Sequence, residues 1–274
     1  MLDSPYTDLE RPPLSEAALN RAVVRPGSLW TRLAVVGRTG STNADLARAA
    51  REGAGEGAVL IAELQDSGRG RLGRVWTAPA RSSLTFSMLL RPAVPAARQG
   101  WLTLLVALAA ASAVRRLANV DVRLKWPNDL LIGERKLAGI LAERVEGAVV
   151  VGMGLNVSLR PAELPVPTAT SLAIEEAECA DRDPLIRGVL REVETHYRDW
   201  VAAGGDADAS GLRAAYIAAS ATIGKEVRVE LPGDRVLRGV ATGVDVSGQL
   251  VVDAGGAGHA LSAGDVIHVR PAQP

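Results

Sequence analysis

The chain has few of the residues on which several classes of protein depend. It holds one cysteine, Cys179, and three histidines, which are scattered without the spacing of metal ligands. An internal disulfide and a multi-cysteine metal site are therefore excluded, and this composition fits the reducing cytoplasm. Aromatic residues make up only 3% of the chain, so an aromatic residue beside a motif stands out.

An excess of one charge and long apolar runs are also lacking. Lysine plus arginine and aspartate plus glutamate both total 31, which gives a formal net charge of +0. A basic field over the whole surface, suited to nucleic acid, is therefore excluded, although a local basic loop is not. The N-terminal residues contain no apolar signal core. The longest mostly apolar stretch, residues 102–114, is shorter than the roughly 20 residues that span a bilayer, so we interpret it as a buried helix and expect no membrane.

The length of 274 residues predicts one large domain or two unequal ones. Residues 1–27 are predicted to form a loose arm, as far as residue 13, and then a short helix that Ser15 caps. The main domain is predicted over residues 28–220. A small C-terminal β domain is predicted over residues 221–274.

The main domain has an α+β pattern. Helices are predicted at residues 44–51, 101–117, 183–202 and 210–219. Between residues 122 and 157, strand-like runs follow one another at hairpin spacing, and the last two are joined at Glu146-Gly147. This spacing favours a mixed or largely antiparallel sheet, with helices on one side, over a doubly wound α/β fold. After Ile223, five short strands punctuated by glycine predict a small β-barrel.

The most informative motif is GRGRLGR, residues 68–74, which follows a predicted buried strand. Its glycines allow backbone N–H groups to approach a ligand closely, and its arginines offer planar cationic groups. Both features suit a phosphate or a carboxylate. The alternatives are a solvated surface loop and a Gly/Arg segment that binds RNA. A phosphate-binding loop of the GxxxxGK[ST] type is absent from the sequence.

Two further segments place polar side chains at predicted strand ends. KWPND, residues 125–129, holds a lysine, an asparagine and an aspartate on rigid backbone, because Pro127 keeps Trp126 extended. In RKLAG, residues 135–139, Lys136 begins a strand and Gly139 offers bare backbone to a ligand. The alternatives are a decorated hairpin turn for the first segment and an edge lysine that discourages aggregation for the second.

Two weaker motifs complete the set. TGSTN, residues 39–43, places hydroxyl groups at a strand-to-helix turn, where ordinary N-capping is the alternative explanation. GMGLN, residues 152–156, ends a strand with two glycines and an amide. No predicted helix follows it, so it does not indicate a dinucleotide-binding site.

Taken together, the blocks TGSTN, QDSGRGRLGR, KWPNDLL, RKLAGIL and GMGLNV resemble the catalytic domain of biotin protein ligases in order and spacing, over roughly residues 33–200. The C-terminal β unit resembles the SH3-like domain of that family. The resemblance implies a core similar to that of class II aminoacyl-tRNA synthetases. It also implies ATP-dependent activation of biotin to biotinyl-5′-AMP, with Mg²⁺ as activator, and transfer to a lysine of a biotin carboxyl carrier protein.

The resemblance implies a set of site residues, block by block. Those implied for biotin and the adenylate are Ser41, Thr42, Asn43, Gln65, Gly68, Arg69, Gly70, Arg71, Lys136 and Gly139. Those implied for ATP are Arg74, Trp76, Asn128 and Asn156. Arg71 and Lys136 would bear the carboxylate and phosphate charge, and Asp129 is the candidate group to accept the proton of the acceptor lysine. Trp126 is interpreted as a core residue, and no metal ligands are identified.

Only about 30 residues precede the first strand of the predicted catalytic domain, fewer than a helix-turn-helix domain needs. We therefore expect a ligase without a repressor domain or DNA partner, acting on the biotin carboxyl carrier domain of acyl-CoA carboxylases as a monomer or weak homodimer in the cytoplasm. A lipoate protein ligase of the same fold is the nearest alternative. An RNA-binding protein that uses the Gly/Arg loop is an alternative of another class, and zero net charge weighs against it.

Overall fold

A computed structural model describes residues 11–231, 235–262 and 265–268. The helices are α1 (Glu16–Val23), α2 (Thr42–Arg51), α3 (Trp101–Ala118), α4 (Arg182–Ala202) and α5 (Leu212–Ala219). The strands are β1 (Arg32–Val36), β2 (Ala58–Ala62), β3 (Gly68–Arg69), β4 (Val75–Trp76), β5 (Ser83–Leu90), β6 (Val122–Lys125), β7 (Asp129–Ile132), β8 (Arg135–Val145), β9 (Ala148–Asn156), β10 (Glu226–Leu231), β11 (Arg235–Val244), β12 (Leu250–Ala254), β13 (Ala257–Leu261) and β14 (Asp265–His268).

A seven-stranded sheet in the order β1-β2-β5-β9-β8-β7-β6 forms the centre of the main domain. The pair β1–β2 is parallel and the other neighbours are antiparallel. The turn between β8 and β9 falls at Glu146-Gly147, where both residues have positive φ, as a tight hairpin turn requires. The predicted mixed α+β class is confirmed.

Helices cover both faces of this sheet, so the prediction of helices on one side is wrong. Leu84, Phe86 and Met88 of β5 pack in the large core that includes α3 and α4. On the opposite face, Leu89 packs with Leu46 of α2 in a smaller cluster. Every residue of β5 is buried. Its sequence alternates hydroxyl with apolar residues up to Met88, a pattern typical of a sheet with one covered face, so the burial of the hydroxyl face beneath α2 could not be inferred from it.

Helix α3 is the central helix of the large core. By length and composition alone it could cross a membrane, but 72% of it is buried inside the molecule. It packs against the sheet and against α4. Burial of this kind is typical of the core helix of a globular domain, as the sequence predicts for this stretch.

The C-terminal sheet has five antiparallel strands in the order β13-β12-β11-β10-β14. Its β11–β12 turn packs against the main domain through two indole groups. Trp101 Nε1 donates a hydrogen bond to Val246 O, and Trp126 Nε1 donates one to Gly248 O, both at 3.1 Å. Trp126 is 2% exposed, which confirms it as a core residue. The same residue therefore joins the two sheets.

Helix α1 lies along the outer edge of β1. Its N-terminus is capped as predicted, because Ser15 accepts a hydrogen bond from Ala18 N. Asn20 Nδ2 donates to Leu33 O at 2.7 Å, and Asn20 Oδ1 accepts from Leu33 N at 3.3 Å. Glu16 accepts from Val35 N at 2.8 Å. Side chains of α1 therefore take the place of a neighbouring strand.

The segment that precedes α1 is anchored, so the prediction of a loose arm is wrong for its described part. Arg11 is only 6% exposed and forms an ion pair of 2.6 Å with Glu163. Residues 1–10 lie outside the described residues. The partner of Arg11 is 152 residues away in the chain, and no local sequence signal predicts such a contact.

Candidate functional site

A cavity of about 1060 Å³ opens on the sheet face that also carries α2. Except for Gly68, every residue that the sequence assigns to biotin, the adenylate, ATP or proton transfer lines this cavity. Gly68 instead pairs with Trp76 in the β3–β4 hairpin beside it. The fold thus brings together side chains from five separate sequence blocks, while the role of each remains a prediction.

The floor of the cavity combines glycines with an indole ring. A Cβ atom at Gly154 would lie 2.3 Å from Trp76 Cε2, and one at Gly139 would lie 3.5 Å from Trp76 Cζ3. The glycines therefore let the ring lie directly against β8 and β9. Trp76 Nε1 is buried, and no described residue accepts a hydrogen bond from it. A polar ligand atom at the floor would satisfy this donor.

We expect Gly154→Ala to lower the free energy of unfolding by about 1–3 kcal/mol, because the added methyl group displaces the Trp76 ring. Gly243→Ala is the matched control, since nothing lies within 4 Å of a Cβ built there on β11. Urea unfolding of both variants measures the difference. Equal stability of the two variants would show that the ring does not depend on this glycine.

A chain of hydrogen bonds forms one wall of the cavity. Gln65 Oε1 accepts from Thr42 N at 2.8 Å and from Thr42 Oγ1 at 2.9 Å. The hydroxyl of Ser87 lies 2.7 Å from Thr42 Oγ1 and 2.6 Å from Asn43 Oδ1. Asn43 Nδ2 donates to Glu143 at 2.7 Å. Ser41 caps α2 instead, by accepting from Ala44 N. These bonds fix Thr42 and Gln65 before a ligand arrives.

The Gly/Arg segment is more regular than the predicted loop. Gly68 and Arg69 pair with Val75 and Trp76 in a short hairpin. Gly70 N donates to Arg74 O at 2.7 Å. Residues of this hairpin line the main cavity and also a second one, of about 1260 Å³. The hairpin therefore borders both cavities, where its backbone and arginine groups are available to a ligand.

Two asparagines order the backbone around the cavity. Asn128 Nδ2 donates to Ile140 O at 2.9 Å, and Asn128 Oδ1 accepts from Arg71 Nη1 at 3.3 Å. Asn156, which is 3% exposed, donates to Thr170 O at 2.9 Å. Asn128 thus links the Gly/Arg hairpin to β8.

Lys136 and Asp129 form an ion pair, with 2.6 Å between Nζ and Oδ1. The ammonium group lies over Gly139, where a Cβ atom would be 3.1 Å from Nζ. A cation, a facing carboxylate and an arginine on the neighbouring hairpin therefore surround one region of the cavity. This arrangement can neutralise two anions brought close together, and it can accept a proton once the ion pair opens.

Sequence reasoning missed several residues that line the cavity. Thr85 was detectable as a hydroxyl residue between two apolar residues of β5. His268 of β14 and Lys225, just before β10, also line the cavity, and no local signal connects them to the site. Burial lowers the pKa of His268, and nearby Lys125 and Lys225 lower it further, although Glu134 opposes the effect. The C-terminal sheet thus contributes to the wall of the cavity.

Comparison with known proteins gives a consistent result. The chain matches the model of the Biotin/lipoate A/B protein ligase family over residues 37–159 and that of the Biotin protein ligase C terminal domain over residues 222–269. It is 45% identical to a biotin–[acetyl-CoA-carboxylase] ligase of Mycobacterium tuberculosis, over 96% of this chain and 98% of that protein.

Two other relatives extend the comparison. A bifunctional ligase/repressor of Bacillus subtilis is 37% identical to this chain, over an alignment that covers 57% of this chain and 50% of the relative. Among solved structures, biotin protein ligase from Aquifex aeolicus in complex with biotin and ATP superimposes with a TM-score of 0.73 at 25% identity. The superposition covers 88% of this chain and 100% of that structure.

Proposed function

Because this chain belongs to the biotin protein ligase family, we propose specific roles for its cavity residues in the two half-reactions of a biotin–[acetyl-CoA-carboxylase] ligase. The enzyme activates biotin with ATP and transfers the biotinyl group to a lysine of a biotin carboxyl carrier protein. The observation that carries the residue roles is the convergence of Arg71, Lys136 and Asp129 on one cavity.

In the first half-reaction, a carboxylate oxygen of biotin attacks the α-phosphorus of ATP. A bond forms between that oxygen and phosphorus, and the bond to pyrophosphate breaks. The carboxylate needs no general base, but two anions must approach each other. Lys136 and Arg71 supply the positive charge. Thr42 and Gln65, already held by their mutual hydrogen bonds, orient the biotin end of the ligand.

In the second half-reaction, the amine of the carrier lysine attacks the acyl carbon, and AMP leaves. The amine must lose a proton, and Asp129 is the carboxylate placed to accept it. Asp129 is paired with Lys136 before ligand binds. We infer that the negative adenylate draws Lys136 away from Asp129 and so frees the carboxylate as the intermediate forms.

Mg²⁺ fits this site as part of the nucleotide. The described ranges contain no group of three or more His, Cys, Asp or Glu side chains that could hold a metal ion. Mg²⁺ commonly binds through substrate phosphates and one or two carboxylates while it keeps several waters. We therefore infer that Mg²⁺ enters with ATP. It would supply charge neutralisation to the phosphates, beside that from Arg71 and Lys136.

We further infer several finer features of the molecule. The sheet around β5 and β9 is a core similar to that of class II aminoacyl-tRNA synthetases, and the five strands of the C-terminal sheet form an SH3-like unit. The unit boundaries are residues 28–220 and 221–274. The carrier domain of an acyl-CoA carboxylase is the macromolecular partner, with no DNA partner and at most weak dimerisation of this chain.

An ATP–pyrophosphate exchange assay tests the proposed function. Exchange should depend on biotin and should not occur with lipoate at the same concentration. Transfer of label from biotin to a purified carrier domain tests the second half-reaction. Exchange with lipoate alone would identify a lipoate ligase, and no exchange with either acid would exclude acyl adenylation. A gel shift with RNA that competes with ATP would favour the RNA-binding alternative.

A further inference from the structure

The short segment of residues 11–14 is held by buried charge. Arg11 donates to Glu163 Oε2 and to Ser158 O, both at 2.6 Å. Arg182 pairs with Glu63, and its second nitrogen donates to Pro12 O at 2.6 Å. Arg11, Arg182 and Glu63 are each less than 9% exposed. Removing one partner of a buried ion pair leaves the other charge buried and uncompensated. Such pairs therefore hold the segments that they join in one arrangement.

The contact to Glu163 matters because this residue belongs to a stretch of chain that borders the main cavity. Residues 160–168 are mostly exposed, and Pro165, Val166 and Thr168 line the cavity. Glu163 also accepts from Arg160 N at 2.8 Å. The hydrogen bond from Arg11 holds the pKa of Glu163 below its usual range, so the carboxylate stays charged and bound to Arg11 at neutral pH.

The far end of this stretch is attached to Lys136. Lys136 N donates to Thr168 O at 2.7 Å, and Thr170 N donates to Lys136 O at 2.9 Å. This mostly exposed stretch, part of which lines the cavity, is therefore fixed at two points. The backbone of Lys136 holds its C-terminal end at Thr168, and the guanidinium of Arg11 holds Glu163.

We propose that Arg11 is a positioning residue of the ligase: through Glu163 it fixes residues 160–168 as a wall of the cavity and so preorganises the site for ATP. This inference rests on the proposed function for the identity of the ligand. Arg11 does not line the cavity and contacts Glu163 and Ser158 instead. A wall that is already ordered improves binding, because little conformational entropy is lost there when the ligand binds.

The test combines kinetics with amide hydrogen exchange on the full chain. In Arg11→Ala, we expect the KM for ATP in biotin-dependent pyrophosphate exchange to rise about 10-fold, with kcat lowered by less than about 3-fold. Lys136 remains paired with Asp129 and within β8, which is why kcat should change less. Amides of residues 160–168 should exchange faster in this variant. Arg11→Lys keeps the charge without the planar guanidinium group. Its KM for ATP and its exchange rates should therefore fall between those of the wild type and those of Arg11→Ala.

Glu163→Gln and the double variant make the test specific. If Arg11 acts through Glu163, the double variant should raise the KM for ATP no more than Arg11→Ala alone. Additive increases would overturn the proposal. Glu163→Gln keeps the proposal testable if Arg11→Ala fails to fold, because it removes the ion pair while its amide oxygen still accepts one hydrogen bond from Arg11, so we expect a smaller rise in the KM for ATP than in Arg11→Ala.

Arg116→Ala, which breaks the Arg116–Glu192 pair between α3 and α4, is the control and should leave the KM for ATP unchanged. A lower Tm of Arg11→Ala without a change in KM or in exchange of residues 160–168 would reduce Arg11 to a structural role and overturn the proposal. Failure of the wild-type chain to catalyse biotin-dependent exchange would instead refute the proposed function. The hydrogen-exchange result would still show whether Arg11 holds the wall.

Discussion

Replacement of Lys136 with alanine is expected to lower kcat/KM for biotin adenylation by about 10²–10³-fold, equivalent to about 3–4 kcal/mol of transition-state stabilisation. The negative charge shared by the biotin carboxylate and the α-phosphate is greatest as the new bond forms. A cation over Gly139 therefore stabilises the transition state more than the bound substrates. Pyrophosphate exchange measures this half-reaction directly.

Lys136→Arg separates charge from position. The planar guanidinium cannot occupy the place of a compact ammonium group between Asp129 and the floor glycine, so we expect a partial loss of about 10-fold. The ion pair with Asp129 gives a further comparison, because Asp129→Asn keeps the side-chain size while removing the carboxylate. Asp129→Asn should affect transfer to the carrier lysine more than adenylation.

Two results would contradict this role for Lys136. Wild-type exchange by a folded Lys136→Ala protein would leave the residue as an ordinary strand-end lysine. A stable biotinyl adduct on Lys136 during turnover would show that the lysine acts as a nucleophile, which the electrostatic mechanism does not include.

Arg71→Ala is expected to lower kcat/KM for adenylation by about 30- to 10³-fold, which corresponds to roughly 2–4 kcal/mol for a charge-assisted contact made in the transition state. The half-buried side chain reaches from the Gly/Arg hairpin to Asn128 Oδ1. It packs little apolar surface, so the free energy of unfolding should change by only about 0.5 kcal/mol. Chemical unfolding and pyrophosphate exchange together separate these effects.

Arg51→Ala is a suitable control for Arg71→Ala, because Arg51 is an exposed arginine in the last turn of α2. It should leave both adenylation and stability unchanged. A folded Arg71→Ala protein with wild-type kinetics would remove Arg71 from the proposed charge-bearing set and leave Lys136 as the main source of positive charge.

Local patterns in the sequence were sufficient for most elements of the fold. Ser83–Leu90 is a strand of alternating hydroxyl and apolar residues, and Glu146-Gly147 marks a hairpin turn because glycine readily adopts positive φ. The five motif blocks predicted the candidate site because each places glycines or polar and charged side chains at strand ends and turns. These features depend on neighbours within a few positions.

What the sequence could not provide depends on distant pairing. The sequence of β5 does not indicate that this strand lies between β2 and β9, or that α2 covers the sheet face opposite α3. The contact between Trp76 and Gly154 has no local signature either, since a glycine in a strand also suits a bulge. The anchoring of Arg11 was missed for the same reason.

The hydrogen bonds from α1 to the edge of β1 have a consequence for behaviour at high concentration. An open strand edge can recruit a strand from another molecule, and repeated recruitment leads to fibrous or amorphous aggregates. Here a foreign strand would have to displace Asn20 from both backbone groups of Leu33 and Glu16 from Val35 N before it could pair. This side of the sheet therefore resists templated growth for as long as α1 stays folded, and loss of the helix would expose an aggregation-prone edge.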